Sequence, residues 1–390
     1  MLNYFQMKPR SILSLSNFFG AAHFFLIIYV ITPYLATVMP ASETGLVVSL
    51  GAVVTLTLFP LMPKFVQKYG PRKLAIFFGI AEAFILAWLA IGPNPVGAII
   101  LVALACATTP LIDYQLDILL EATVAKENAT GRIRTTFLTA GNLVLIISPL
   151  IVGLVMDSTE SYWRVFAVAS ASLLPFIGLL LIKKLPEGKA PTFTSMMETC
   201  LCLMADRDLR AIAIAHGMLQ FFYHLAPLYI PLYLHEVLHM PWSTLGWVFA
   251  VMLLPFVFLE YPAGWLADRK WGDQELLLAG FVITGAAFAA LSLIGPNTML
   301  IFIILLLVLT RVGASLVEAM SEGHFFRRVS EADATTVGLF RMTRPIAALI
   351  APLIGSLILS VAGYGTLFVV TGAIILIGGV ASALAIRDIR

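Results

Sequence analysis

The chain is cut into apolar stretches of membrane-crossing length, and this division limits its possible folds more than any other feature. A helix rises about 1.5 Å per residue, so about 20 apolar residues cross the hydrocarbon core. Twelve stretches reach that length: about 17–39, 45–63, 73–92, 96–121, 133–156, 163–182, 210–235, 242–265, 275–294, 297–320, 334–361 and 365–385. In lipid each segment must satisfy its own backbone hydrogen bonds, which makes these segments helices. Breakers such as GPNP at 92–95, GPNT at 295–298 and AGYG at 362–365 separate neighbours. One longer polar stretch, residues 183–210, falls midway.

The expected fold class is therefore all-α and transmembrane, with twelve helices in two six-helix bundles. The expected domains are 1–182, a cytoplasmic linker with an amphipathic helix over 183–208, and 209–390. Composition agrees: 60% of residues are hydrophobic and 12% charged, against about 25% charged in soluble domains. The first apolar run is too long for a cleaved signal, whose core is about 7–15 residues. A net charge of +2 gives no electrostatic case for nucleic acid as a partner. Cys106, Cys200 and Cys202 do not form a disulfide framework. The Cys200–Cys202 pair reads as packing, with acylation or metal binding as alternatives.

Charge orients the spans. One set of connections carries Lys64, Lys68, Arg72 and Lys73, then Lys126, Arg132 and Arg134, then the basic linker, Arg269 and Lys270, and Arg327 and Arg328. The opposite set carries only Arg164. Positive residues stay cytoplasmic, so both termini and the linker are expected inside. The expected location is a cell membrane, of the bacterial inner-membrane kind, with lipid as partner and the chain as a monomer.

The halves resemble each other. AKENATGRIRTTF, followed by SPLIVG at 148–153, precedes and fills the fifth span, and SEADATTVGLF, followed by APLIG at 351–355, does the same for the eleventh. A repeat of about half the chain signals two copies of one bundle. GWLADRKWG, residues 264–272, follows the eighth span. It resembles the G-x-L-A-D-R-x-G signature of the major facilitator superfamily, with one extra residue before the glycine. PKFVQKYGPRK at 63–73 is a degraded counterpart, with Gln67 where the acid belongs and Lys68 where the arginine belongs. The resemblance implies a secondary transporter working by alternating access. It also implies a cavity lined by the first, fourth, seventh and tenth spans. Asp268 with Arg269, Glu260, Arg132, Glu121, Gln67 and Arg72 would then form a cytoplasmic gate.

Charge within the spans is the remaining puzzle. PLIDYQLDILLEA sets Asp113, Asp117 and Glu121 four residues apart, on one helical face. A carboxylate at a span centre costs about 2.5–3.5 kcal/mol on insertion scales. Arg311 in the tenth span and Arg341 and Arg344 in the eleventh offer the opposite charge. Either these groups are structural pairs, or the arginines hold an anionic solute while a carboxyl carries a proton. On the second reading Arg311, Arg341 and Arg344 bind substrate with His23, His224, Tyr29 and Tyr223. Asp113, Asp117 and Glu82 couple to protons. Glu318 and Glu322 read as gate or loop pairs. His23, His216 and His224 can equally be packed, hydrogen-bonded histidines. Tyr29, Tyr34, Phe221, Phe222, Tyr223, Tyr229 and Tyr233 can form a stacking wall or ordinary packing.

HEVLH at 235–239 matches the H-E-x-x-H zinc pattern. It lies at the end of a span with no third ligand in view, so neither a metal nor an enzyme is expected. No cofactor is expected either: the chain has no G-x-x-x-x-G-K-[ST], so transport would draw on an ion gradient. Three functions remain open. The first is a proton-coupled transporter of a small organic anion or zwitterion. The second is a proton-driven exporter of amphiphilic, drug-like compounds, and the third a non-transporting receptor or scaffold.

Overall fold

The structure, a computed structural model, describes residues 9–127, 130–156, 161–182, 185, 204–259, 262–263, 266–267, 271–329 and 334–386. These residues form helices and short connections, with no strand among them. Eleven helices among them are long and apolar enough to cross a membrane. They are Pro9–Ala36, Ala41–Tyr69, Pro71–Ile91, Pro95–Thr123, Thr139–Met156, Tyr162–Ile182, Arg207–Val237, Asp273–Leu293, Leu300–Arg328, Leu339–Val361 and Tyr364–Ala385. The eighth expected span is described as the 17-residue apolar helix Trp242–Phe258. The rest of its expected range runs into residues outside the described set.

Several boundaries move outward from their hydropathy limits. The first span begins at Pro9 because PRSILSLS is already helical. Its polar Asn17 is satisfied by the Phe137 carbonyl at 2.9 Å. The tenth span runs on to Arg328. Arg327 and Arg328 therefore occupy a last helical turn, where cations complement the negative end of the helix dipole.

The chain forms two compact units. Unit 1 comprises Met1–Met39, Leu50–Ala190 and Pro241–Trp247; unit 2 comprises Pro40–Ser49, Pro191–Met240 and Val248–Arg390. In unit 1 the first span packs on the fourth, fifth and sixth, and the third on the fourth and sixth. In unit 2 the seventh packs on the tenth, eleventh and twelfth, and the ninth on the tenth and twelfth. Adding six to each number of the first pattern gives the second, so the internal repeat is a repeat of packing.

Close packing between spans falls on glycine. Lipid tails are as apolar as leucine, so helices in a membrane gain by close backbone approach rather than by burial from water. In unit 2 a Cβ on Gly280 would meet the Gly313 carbonyl oxygen at 2.8 Å. In unit 1 a Cβ on Gly246 would meet the Gly153 Cα at 2.7 Å. Proline marks other spans internally: Pro110 in the fourth, Pro149 in the fifth, Pro175 in the sixth, Pro227 and Pro231 in the seventh, Pro255 in the eighth and Pro352 in the eleventh.

Candidate functional site

The seventh span carries a line of polar side chains in unit 2. His216, Gln220, Tyr223 and His224 fall at spacings of three and four, so they share one side of the helix. Thr343 gives its hydroxyl proton to the Phe340 carbonyl at 2.7 Å. It must therefore accept from His216 Nδ1, which lies 2.7 Å away. That leaves His216 Nε2 to accept from the Gln220 amide at 3.3 Å. The chain of donors fixes His216 as the Nδ1–H tautomer. Phe340 stacks on the same ring at 4.2 Å.

His224 is oriented differently. Its Nδ1–H donates to the Gln220 carbonyl at 2.8 Å, which turns the Nε2 lone pair outward from the helix backbone. Tyr223 donates its hydroxyl to Glu318 Oε2 at 2.6 Å, tying the seventh span to the tenth. Seven residues before Glu318 on the tenth span is Arg311, buried at 3% exposure. Its guanidinium lies 4.6 Å from the centre of the Phe222 ring. A desolvated cation over an aromatic face gains about 2 kcal/mol. Arg344, on the eleventh span, is half exposed and reaches Glu322 at 3.7 Å. Arg341 is partly exposed nearby in sequence, at the end of helix Ala334–Arg341. Unit 2 thus gathers Arg311, Tyr223, His224 and Glu318 on facing helices, together with His216, Gln220 and Thr343.

In unit 1 the acidic stripe is unevenly placed. Asp113 and Glu121 are exposed and Asp117 is half-buried. Gln115, between them, points into the core, where its amide meets Met62 Sδ at 3.8 Å. Glu82 is fully buried and accepts the hydroxyl of Thr108. His23 is fully buried and meets Thr109 Oγ1 at 3.2 Å. Consecutive threonines of the fourth span thus hold the two polar groups that the first and third spans bury. Tyr29 is packed at 4% exposure, and Tyr34 lies against Phe166 at 4.9 Å.

Of the gate residues expected from sequence, Glu260, Asp268 and Arg269 lie outside the described residues, as does the side chain of Arg132. Gln67 is exposed. Arg72 turns away from its loop: its Nε donates to the Leu180 carbonyl at 2.5 Å and its Nη2 to the Leu181 carbonyl at 3.0 Å. Those are final-turn carbonyls of the sixth span, which lack helical partners. Most of the linker, with Cys200 and Cys202, is likewise outside the described residues.

The H-E-x-x-H stretch holds no metal geometry. His235 Nδ1–H donates to the Met240 carbonyl at 3.0 Å. His239 takes a left-handed backbone with φ 53°. Among the described residues no cluster of His, Cys, Asp and Glu suits a metal ion. Sequence reasoning missed Gln220 and Thr343, whose only signal was helical spacing from His216 and a position at the eleventh span's start.

Comparison with known proteins places this arrangement. The family model described as Major Facilitator Superfamily matches residues 211–390, nearly all of the second half. A mutant of the nucleoside transporter NupG superposes with TM-score 0.78 at 12% identity, covering 97% of this chain and 100% of that one. The second half of the chain matches that superfamily's model, and the whole chain shares the fold of this transporter. The POT family transporter PepTSo gives TM-score 0.77 at 14% identity, with 97% of each chain covered. A bacterial homolog of the human lysosomal transporter Spinster gives 0.73 at 11% identity, covering 97% of this chain and 94% of that one. At such identities these likenesses describe the fold. No curated protein sequence matches this chain. In the stretch at 63–73, outside the matched residues, Gln67 is exposed and Arg72 is bound to the sixth span.

Proposed function

We propose that this protein is a secondary transporter of the major facilitator superfamily that moves a small organic anion or zwitterion across the membrane by alternating access, with protons as the coupling ion. The observation that carries the reading is the make-up of unit 2. A buried guanidinium is held over Phe222, while two further arginines and an outward-turned histidine nitrogen lie on the seventh and eleventh spans. Arginine presents a planar fork of donors matched to carboxylates and phosphates. Tyr223 and Glu318 add a hydroxyl–carboxyl pair that can take up the cationic end of a zwitterion. Similar folds whose names speak of nucleosides and peptides are compatible with a polar solute of this size. Asp113, exposed on the fourth span, is the proposed proton carrier of unit 1, with Asp117 beside it.

The test is flux in liposomes holding the purified protein under an imposed pH gradient. Uptake of a labelled organic acid that falls at least tenfold in Arg311→Ala supports the assignment. Asp113→Asn should abolish gradient-driven movement and spare exchange of substrate for substrate. Accumulation of lipophilic cations that is insensitive to Arg311→Ala would favour drug export and sink the proposal.

A further inference from the structure

Away from that site, three helix ends of unit 2 meet in a cluster that the transport reading does not use. Asp208 opens the seventh span, Asp273 opens the ninth, and His324, Arg327 and Arg328 close the tenth. His324 is fully buried, and the two aspartates are 5% and 6% exposed. The imidazole bridges them: Nδ1 lies 3.0 Å from Asp273 Oδ2 and Nε2 lies 3.1 Å from Asp208 Oδ2. Arg327 reaches the same Asp273 oxygen, and Arg328 Nε reaches the same Asp208 oxygen at 2.5 Å.

A neutral imidazole has one N–H and one lone pair, and a carboxylate can only accept. With both ring nitrogens on carboxylate oxygens, a neutral ring would set one lone pair against another in a buried place. One proton more removes the conflict, because an imidazolium donates from both nitrogens. We propose that Asp208, His324 and Asp273 form a proton-binding site whose bound proton ties together the ends of the seventh, ninth and tenth spans.

The surrounding charges fit that role. Asp206 and Arg207 line the same small cavity as Asp208 and Arg328. Arg210 is turned to the Met204 carbonyl at 2.7 Å. Glu275 folds back onto the Gly272 N–H at 3.0 Å, and Glu322 pairs with Arg344. Neither acid contacts the ring. A metal is the wrong occupant, since each bridging oxygen already accepts from an arginine and no metal-suited cluster occurs among the described residues. Helix dipoles reinforce the arrangement: the carboxylates sit at two N-termini and the cations at a C-terminus.

The experiment uses the full chain in lipid nanodiscs with ¹⁵N-labelled histidine. His324 is identified by the ring signals lost in His324→Gln. The expected spectrum at about pH 7.5, where free histidine is mostly neutral, shows both His324 nitrogens protonated. A spectrum with a single ring proton there overturns the proposal. In Asp273→Asn, which leaves only Asp208 to balance a cation, the ring should become neutral at that pH; an unchanged imidazolium overturns the two-carboxylate account. Unfolding between about pH 6 and 9 gives a second readout. Loss of one linked proton lowers the folded-to-unfolded ratio by up to about tenfold per pH unit. That fall should appear in the native chain and be absent in His324→Gln, whereas parallel profiles refute the site. If His324→Gln does not fold, the ring signals that Asp273→Asn shifts identify His324, and that spectrum carries the test.

Discussion

Gly246→Ala and Gly178→Ala add the same methyl group to two helices and should change stability in opposite directions. On Gly246 the new Cβ would lie 2.7 Å from the Gly153 Cα and 2.7 Å from the Pro149 carbonyl oxygen. Ordinary contact begins at 3.4 Å, so the two backbones must part by about 0.7 Å. Both obstructing groups are backbone, so no side chain can rotate aside. Overpacking of this kind costs about 1–3 kcal/mol. Against it stands the preference of a helix interior for alanine over glycine, about 0.8–1.0 kcal/mol. Gly246→Ala should therefore be neutral to destabilising by about 2 kcal/mol. Gly178, in the sixth span, has nothing within 4 Å of its built Cβ. Gly178→Ala should keep only the favourable part and gain up to about 1 kcal/mol. Denaturant unfolding of the two purified variants beside the native chain measures the difference, expected at about 1–3 kcal/mol. Equal stabilisation by both changes would show that the Gly153–Gly246 approach is not close enough to exclude a methyl group.

Three further outcomes can be checked on the same preparation. Arg72→Ala strips donors from the Leu180 and Leu181 carbonyls and should cost about 1.5–3 kcal/mol in unfolding; Arg72→Lys should recover less than half, because one ammonium cannot reproduce the fork. In a double-mutant cycle, Arg311→Met and Phe222→Leu should couple by about 1–2 kcal/mol, and additivity would mean the guanidinium does not use the ring. Asp206 caps the seventh span by accepting from Leu209 and Asp208 N–H groups, and these bonds hold its carboxyl below the usual range. Its contribution is then present above the ordinary carboxylate pKa and lost as pH falls through the lowered folded value. Asp206→Ala should cost about 1 kcal/mol at neutral pH, and the deficit should vanish in strong acid.

The membrane architecture was legible because its cause is local. Twenty apolar residues between breakers cross a bilayer wherever they occur, and the half-chain repeat shows in the spacing of its motifs. Even so, hydropathy trimmed the first and tenth spans: the polar residues at 10–16 and Arg328 lower a window average, although Ser14 and Ser16 are buried and Arg328 pairs with Asp208. The site was less legible because partner choice depends on packing. From sequence His23, His216 and His224 look alike, each a histidine in a cavity-side span. The fold seals His23 against Thr109, sets His216 in a donor chain ending at Phe340, and turns one nitrogen of His224 outward. His324 drew no attention within SEGHFFRR, since its meaning comes from Asp208, 116 residues away, and Asp273, 51 away. The four-residue spacing of Asp113, Asp117 and Glu121 correctly describes one helical face, but exposure varies along that face as neighbours come and go.

The placement of proline divides the helices mechanically. The third span carries proline only at its start, and the ninth, tenth and twelfth carry none inside. Each of these keeps its full ladder and behaves as a strut. The fourth, fifth, sixth, seventh, eighth and eleventh each lack at least one rung, because an internal proline has no N–H to offer. A load on either unit will concentrate as bending at those missing rungs. Arg311 and Glu318 ride on a strut, and Tyr223 and His224 on a jointed helix just before its Pro227 joint. The Tyr223–Glu318 contact therefore spans stiff and compliant parts, and bending of the seventh span would be felt there first.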